Sequence, residues 1–253
     1  MKIAVVTGAS SGMGREFVLR LAKEKTLDEI WVIARRKDRL ESLQTQVPTV
    51  KIRPFAWDLT LPQSWDEYRV MLATENPTVS VLVNASGFGK FGRFSDIELP
   101  EQLNMIDLNS KAYVAMTYLT LPYMQAGGEI YQLDSLSAFQ PVPYITVYGA
   151  TKAMVLSFSR ALNVELKKQR IRCMAVCPGW VRTEFFDRAV RDETITYYNR
   201  FFTPEQVISR AMRDMKRGKD VSVCGASIRA QVRLTKLLPH RLVMKIWCRQ
   251  QKK

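Results

Sequence analysis

Hydrophobic and polar positions along this chain follow two periods that take turns. Compact apolar runs at residues 3–6, 29–34, 50–55, 79–83, 129–133, 171–176 and 221–223, each bounded by turn-forming residues, predict buried strands. Between them apolar residues recur every three or four positions, which predicts helices from about Gly12, over 64–74, 105–124 and 148–168, and from Pro204 to Lys216. The last of these carries its own start signal, Thr203-Pro204-Glu205-Gln206, with a capping hydroxyl, a first-turn proline and a reciprocal glutamine. Strands alternating with helices predict an α/β domain on a parallel sheet. Beyond residue 226 the strand pattern stops, and two amphipathic helical pieces broken at Pro239 remain.

Composition narrows this frame. At 253 residues and 47 % apolar content the chain suits one well-buried domain rather than two. It holds no apolar run of the roughly eighteen residues that a membrane span needs. Met1-Lys2 leads straight into the first strand, so a cytoplasmic location without a signal segment is expected. Cys173, Cys177, Cys224 and Cys248 show no Cys-x-x-Cys spacing and His240 is the only histidine, so buried thiols are expected, with no metal site and no disulfide. Net charge is +14, and residues 229–253 hold four Arg and four Lys with no Asp or Glu, so 8 of the 14 excess charges lie in the tail. Two uses suit that tail: peripheral contact with a membrane surface, or packing across a substrate cleft or a subunit neighbour. The second is preferred, because Trp247 and Leu242 sit among apolar neighbours. Nucleic-acid binding would need the charge on a reading face with stacking aromatics, and no such partner is expected.

Two local patterns bring in chemistry. Thr7-Gly8-Ala9-Ser10-Ser11-Gly12-Met13-Gly14 follows the first strand and opens a helix. Gly8, Gly12 and Gly14 let backbone approach a pyrophosphate, and the helix start offers it amides. Met13 and Gly14 stand where a nucleotide-hydrolase loop needs Gly and Lys, which favours a dinucleotide over ATP. The second strand then ends in Ala34-Arg35-Arg36. NAD sites carry an acid there for the ribose 2′-hydroxyl; this chain has Ala34, and the arginines suit the 2′-phosphate of NADP.

The other pattern is Tyr148-Gly149-Ala150-Thr151-Lys152. Residues four apart share a helix face, so the Lys152 ammonium is expected to lower the pKa of Tyr148 and fit it for proton exchange with a carbonyl or hydroxyl. Ser135 ends the fifth strand thirteen residues earlier, at the rim where parallel sheets bind ligands.

Together with Asn84-Ala85-Ser86-Gly87 and Pro178-Gly179, these motifs resemble in order and spacing the short-chain dehydrogenase/reductase family, over residues 1 to about 225. The resemblance implies a Rossmann-type doubly wound parallel sheet of about seven strands with helices on both faces. It implies catalysis by Ser135, Tyr148, Lys152 and Asn109, the asparagine holding a water that links the lysine to solvent. NADP(H) is the implied cofactor, met by Gly8, Ser10, Ser11, Gly12, Met13, Gly14, Arg35 and Arg36, by Asp58 and Leu59 at the adenine end, and by Asn84, Ala85 and Gly87 at the fourth strand's exit; Asp58 reads equally well as a helix-capping aspartate. Tyr148 and Lys152 at the nicotinamide ribose, then Pro178, Gly179, Val181 and Thr183, complete that set.

The resemblance further makes residues 184–202 a substrate lid, where the density of Phe185, Phe186, Tyr197, Tyr198, Phe201 and Phe202 points, in preference to dimer or core packing, to a small apolar ketone or secondary alcohol such as a lipid, steroid or 3-oxoacyl compound. The catalytic domain is then 1–226 and the basic extension 227–253. Helices 105–124 and 148–168 are the implied contact of a homodimer or homotetramer. Asp134 departs from the serine commonly found there, and Ala85-Ser86 from Asn-Ala. The competing reading is a catalytically silent dinucleotide sensor or basic nucleic-acid binder on the same fold. The intact Ser135, Tyr148, Lys152 and Asn109 argue against it.

Overall fold

In the computed structural model, which describes residues 1–190 and 194–253, the apolar runs become β1 (Lys2–Thr7), β2 (Glu29–Ile33), β3 (Lys51–Phe55), β4 (Thr78–Asn84), β5 (Met124–Leu133), β6 (Arg172–Val176) and β7 (Val221–Ser222). They pair in parallel in the order β3-β2-β1-β4-β5-β6-β7. The main helices are α1 (Gly12–Glu24), α2 (Pro62–Glu75), α3 (Leu99–Ile106), α4 (Ala112–Thr120), α5 (Thr146–Glu165), α6 (Pro204–Lys216), α7 (Ala226–Leu237) and α8 (His240–Gln250).

Strand alternation divides the core between the two sheet faces. Ala4 and Val6 of β1 and Ile30 and Val32 of β2 pack with Phe17, Val18 and Leu21 of α1 and Ile208, Ala211 and Met215 of α6. Ile3, Val5, Trp31 and Ile33 point the other way, onto Tyr68 and Leu72 of α2 and Met116 of α4. Each fully buried Val, Leu, Ile, Phe or Met among them stabilises the fold by about 1.5–3 kcal/mol. Both faces are covered, which is why the strands read as continuous apolar runs. Pro54 is tolerated because β3 is an edge strand. The predicted cap of α6 is present, with Thr203 Oγ1 accepting from Gln206 N and Gln206 Oε1 from Thr203 N.

The single helix expected over 105–124 is corrected. Helix begins at Leu99, with Pro100 in its first turn, and ends at Thr120, before Leu121–Tyr123 tightens around Pro122. Between α3 and α4 the chain widens into a π turn, Asp107–Lys111. The fifth strand starts at Met124, earlier than expected. Within the expected lid, residues 191–193 lie outside the described residues. The remainder holds a short helix, Phe185–Ala189, and the segment Phe201–Phe202, which pairs in parallel with Trp180–Val181.

Sheet order reverses between β1 and β4, so the turns leaving these two strands face one crevice at the C-terminal edge.

Candidate active site

One wall of the crevice is the glycine turn after β1. Gly8 has φ 66°, and a Cβ there would lie 2.6 Å from the Ala85 carbonyl oxygen; a Cβ on Gly14 would collide with the Gly8 carbonyl. Gly8 needs glycine because the β1 and β4 turns touch through backbone, and Gly14 because the start of α1 lies against Gly8. Thr7 binds the turns together, its Oγ1 accepting from Ala85 N at 3.0 Å and Ser86 N at 3.2 Å. Ser11, the N-cap of α1, makes no side-chain cap bond, and the side chain of Thr183 covers Gly12 from above. A helix N-terminus in such a cradle suits a diphosphate.

The two arginines after β2 have separate partners. Arg36 donates from Nη2 to Ser10 Oγ at 3.0 Å and Ser11 Oγ at 2.9 Å, and from Nη1 to Glu184 Oε2 at 2.7 Å. Arg39 donates to the other oxygen of Glu184 at 2.5 Å, and the two guanidiniums hold that carboxyl below its usual range. Arg35 reaches outward, 3.8 Å from Asp58 Oδ2. Asp58 spends Oδ1 on Thr60, accepting from its N at 3.0 Å and its hydroxyl at 2.8 Å, which closes the turn before α2.

Two expected cofactor residues are turned inward. Leu59 is buried, its carbonyl accepting from Trp65 Nε1. Asn84 donates to Thr117 Oγ1 at 3.1 Å and Gln132 Oε1 at 3.0 Å in a buried polar network. Ala85 and Gly87 lie on the crevice side, the α-carbon face of Gly87 turned to Asn109 Oδ1 and Lys152 Nζ.

The catalytic candidates converge from three elements. Helix α5 carries Tyr148 and Lys152 on one face, as four-residue spacing requires, and Lys152 Nζ lies 5.7 Å from the Tyr148 ring centroid. Lys152 is buried and donates to Leu133 O at 2.7 Å. Ser135, two residues beyond β5, caps the turn Leu136–Phe139, its Oγ accepting from Ser137 N. Asn109 sits in the π turn, fully buried. Its amide donates to Phe88 O at 2.9 Å and Thr151 Oγ1 at 3.2 Å, and its oxygen accepts from Phe88 N at 3.0 Å. Thr151 in turn donates to Tyr148 O at 2.7 Å, so asparagine and tyrosine share one intermediary. Widened π turns recur at functional sites, and here the widening carries Asn109.

The expected lowering of the Tyr148 pKa by Lys152 is corrected by this geometry. Burial pushes the phenol above its ordinary value; the Ser135 hydroxyl opposes the rise, while Asp134 and Cys177 add to it. Burial also lowers Lys152 to about 8, with the Asp134 charge opposing. Desolvation dominates the shift, and the ammonium is turned to Leu133 O. Tyr148 is therefore the neutral phenol, the form that donates a proton to a carbonyl oxygen.

Asp134 is buried beside this group, raised to about 8 by burial against the pull of Lys152. Oδ2 accepts from Cys177 Sγ at 3.5 Å, and Oδ1 has no partner among the described residues.

Ser135 and Tyr148 open onto a cavity of about 410 Å³ lined also by Met13 of the glycine turn, by Pro178 and Gly179, and by Phe185, Tyr197 and Trp247. Phe185 packs on Tyr148 with ring centroids 5.6 Å apart. Tyr198 and Phe201 pack on Phe186 and make the lid one aromatic cluster. Phe91, in the glycine- and phenylalanine-rich segment 88–94 after β4, lines the cavity, whereas Phe88 packs under the Arg188 guanidinium. The tail supplies part of the lining, Trp247 included. Trp247 Nε1 donates to Pro143 O at 3.0 Å, and buried Gln251 accepts from Thr196 N at 2.9 Å and Tyr197 N at 3.0 Å. Thr7, Arg39, Thr151, Glu184 and Gln251 went unnoticed as site residues in the sequence. Only Thr7 and Thr151, inside the quoted motifs, had a local signal.

Comparison with known proteins gives this constellation its kin. The family model for short chain dehydrogenases matches residues 2–194. An uncharacterized oxidoreductase of Staphylococcus epidermidis is 30% identical over 184 residues, 72% of this chain and 79% of the relative. A short-chain dehydrogenase from Sphingobium yanoikuyae, solved in complex with NADPH, superposes with TM-score 0.78 at 27% identity, covering 88% of this chain and 87% of that one. A bulky-bulky ketone specific alcohol dehydrogenase from Comamonas testosteroni shares the fold, with TM-score 0.75 at 24% identity over 94% and 92% of the chains. With the family model covering well over half of its length, the chain belongs to the short chain dehydrogenase family of oxidoreductases.

Proposed function

We propose that this protein is an NADPH-dependent carbonyl reductase, reversible as an alcohol dehydrogenase, acting on a small apolar ketone. The observation that carries the reading is the opening of Ser135 and Tyr148, with Lys152 behind them, onto a cavity walled by Phe185, Phe186, Val142 and Leu234. NADPH when bound would supply the hydride. The chain's part is position and electrostatics.

The cradle fits a dinucleotide: Gly8, Gly12 and Gly14 keep backbone close to the diphosphate, and the uncapped start of α1 meets its charge. Arg35, Arg36 and Arg39 favour the 2′-phosphate, and Ala34 stands where an NAD site carries its acid. NADPH in the Sphingobium yanoikuyae relative points the same way. Lys152 would hold the nicotinamide ribose.

In reduction Tyr148 gives its proton to the substrate oxygen, and Ser135 Oγ donates a hydrogen bond to the same oxygen as charge develops there. Lys152 beside Tyr148 steadies the phenolate left behind. Asn109 holds Phe88 and Thr151 in register with the tyrosine. Leu99, Leu103 and Ile106 of α3, Val114 and Tyr118 of α4, and Met154 and Val164 of α5 are exposed apolar residues, which supports pairing of two or more copies through these helices. Consumption of NADPH across ketones graded by size and polarity tests the reading: turnover that rises with apolar size supports it, and none with any ketone or alcohol opposes it.

A further inference from the structure

We propose that α7 and α8 seat this protein on an anionic membrane surface, with the mouth of the substrate cavity turned to the bilayer. Both helices are fixed to the protein by their inner faces. Ile228 and Val243 are buried, Trp247 is bonded to Pro143, and Gln251 is bonded to residues 196 and 197. Their outer faces keep an apolar band in water: Leu234 is 55% exposed, Leu237 82%, Leu242 44% and Ile246 44%. Leu234 and Ile246 also line the cavity, so the outer band and the inner wall are one continuous apolar surface.

Charge identifies the occupant. On α8, Arg241, Lys245 and Arg249 recur every four residues beside the Leu242–Ile246 pair; on α7, Arg233 and Lys236 flank Leu234 and Leu237. All five cations are exposed, and residues 229–253 contain no acid. A cationic rim around an apolar band is the pattern of a helix lying in a lipid interface. A second copy would bring the same positive charge to the contact. Nucleic acid would meet aliphatic side chains where stacking aromatics are needed. Among the described residues no helix is long and apolar enough to cross a membrane, so the contact is peripheral. Substrate delivery from lipid rests on the carbonyl-reductase reading; the docking does not.

Flotation of the full chain with vesicles of phosphatidylcholine alone, or with added phosphatidylglycerol, tests the docking. The protein is expected to float with the anionic vesicles at low salt and to be released as salt rises. Arg241→Ala, Lys245→Ala and Arg249→Ala should each weaken partitioning about fivefold. Leu237→Asp with Leu242→Asp, both outside the cavity wall, should abolish flotation while keeping the wild-type circular dichroism and turnover of a water-dispersed ketone. Failure to float with anionic vesicles at low salt, or flotation undiminished in the leucine variant, overturns the docking. Turnover of a dispersed ketone without flotation overturns it while leaving the reductase reading intact; flotation without turnover of any ketone does the reverse.

Discussion

Arg36 and Glu184, 148 positions apart in sequence, meet at 2.7 Å across the mouth of the glycine turn, and Arg39 grips the other carboxylate oxygen. The chain thus supplies its own anion to guanidiniums that suit a 2′-phosphate. Glu184 also leads into the short helix whose Phe185 lies against Tyr148, so the charge at one end of the crevice and the aromatic wall at the other share a segment.

Glu184→Gln keeps the size of the side chain and removes its charge. The expected outcome is NADPH bound about two- to fivefold more tightly, the scale of an exposed ion pair, with NADH unchanged. Fluorescence titration with both cofactors reads this. Weaker binding of both would make Glu184 a clasp over the cofactor instead.

Arg35→Ala combined with Arg36→Ala should weaken NADPH far more than NADH, by roughly 1.5–3 kcal/mol for each charged hydrogen bond lost. Equal loss for both cofactors would make the arginines structural supports of Ser10, Ser11 and Asp58.

Asp134 ties stability to pH. Its folded-state pKa, about 8, lies above the ordinary carboxylate range, so between about pH 4 and pH 8 the folded protein holds a proton that the unfolded chain has lost. Stability should therefore fall as pH rises through that window, with a slope of up to about 1.4 kcal/mol per pH unit. Lys152, lowered to about 8, acts with the opposite sign above that pH: the folded state gives up its proton first, and stability recovers toward the ordinary lysine range. Urea unfolding of Asp134→Ser across pH 5 to 8 should show a flatter profile than wild type; parallel profiles would contradict the assignment.

Trp247→Ala removes both a cavity wall and the bond to Pro143. The Michaelis constant for bulky apolar ketones should rise several-fold while NADPH affinity is spared, because none of the proposed cofactor residues belongs to the tail. Unchanged kinetics would place the tail outside substrate binding.

How much of this was legible in the sequence follows from the range of the interactions. Parallel strands buried on both faces announce themselves as apolar runs, and all seven expected strands are present. Tyr148, Lys152 and Ser135 were legible because each sits at a fixed offset on its own helix or strand end, and the structure brings them together. The π turn at Asn109 was not legible: its local pattern reads as continuous helix, and the widening accompanies a long-range bond to Phe88. The Glu184 bridge has no local signature at all. The direction of the Tyr148 shift was misread because spacing reveals the neighbouring charge but not the burial that outweighs it.

Turnover by Tyr148→Phe, measured beside its NADPH affinity, probes the catalytic assignment most directly. The substitution removes the transferable proton and leaves the cradle at Gly8, Gly12 and Gly14 untouched. The predicted result is NADPH bound as by wild type with ketone reduction reduced at least about a hundredfold, the lower scale of acid–base catalysis. A variant that binds NADPH normally and keeps more than about a hundredth of the wild-type rate would contradict the account.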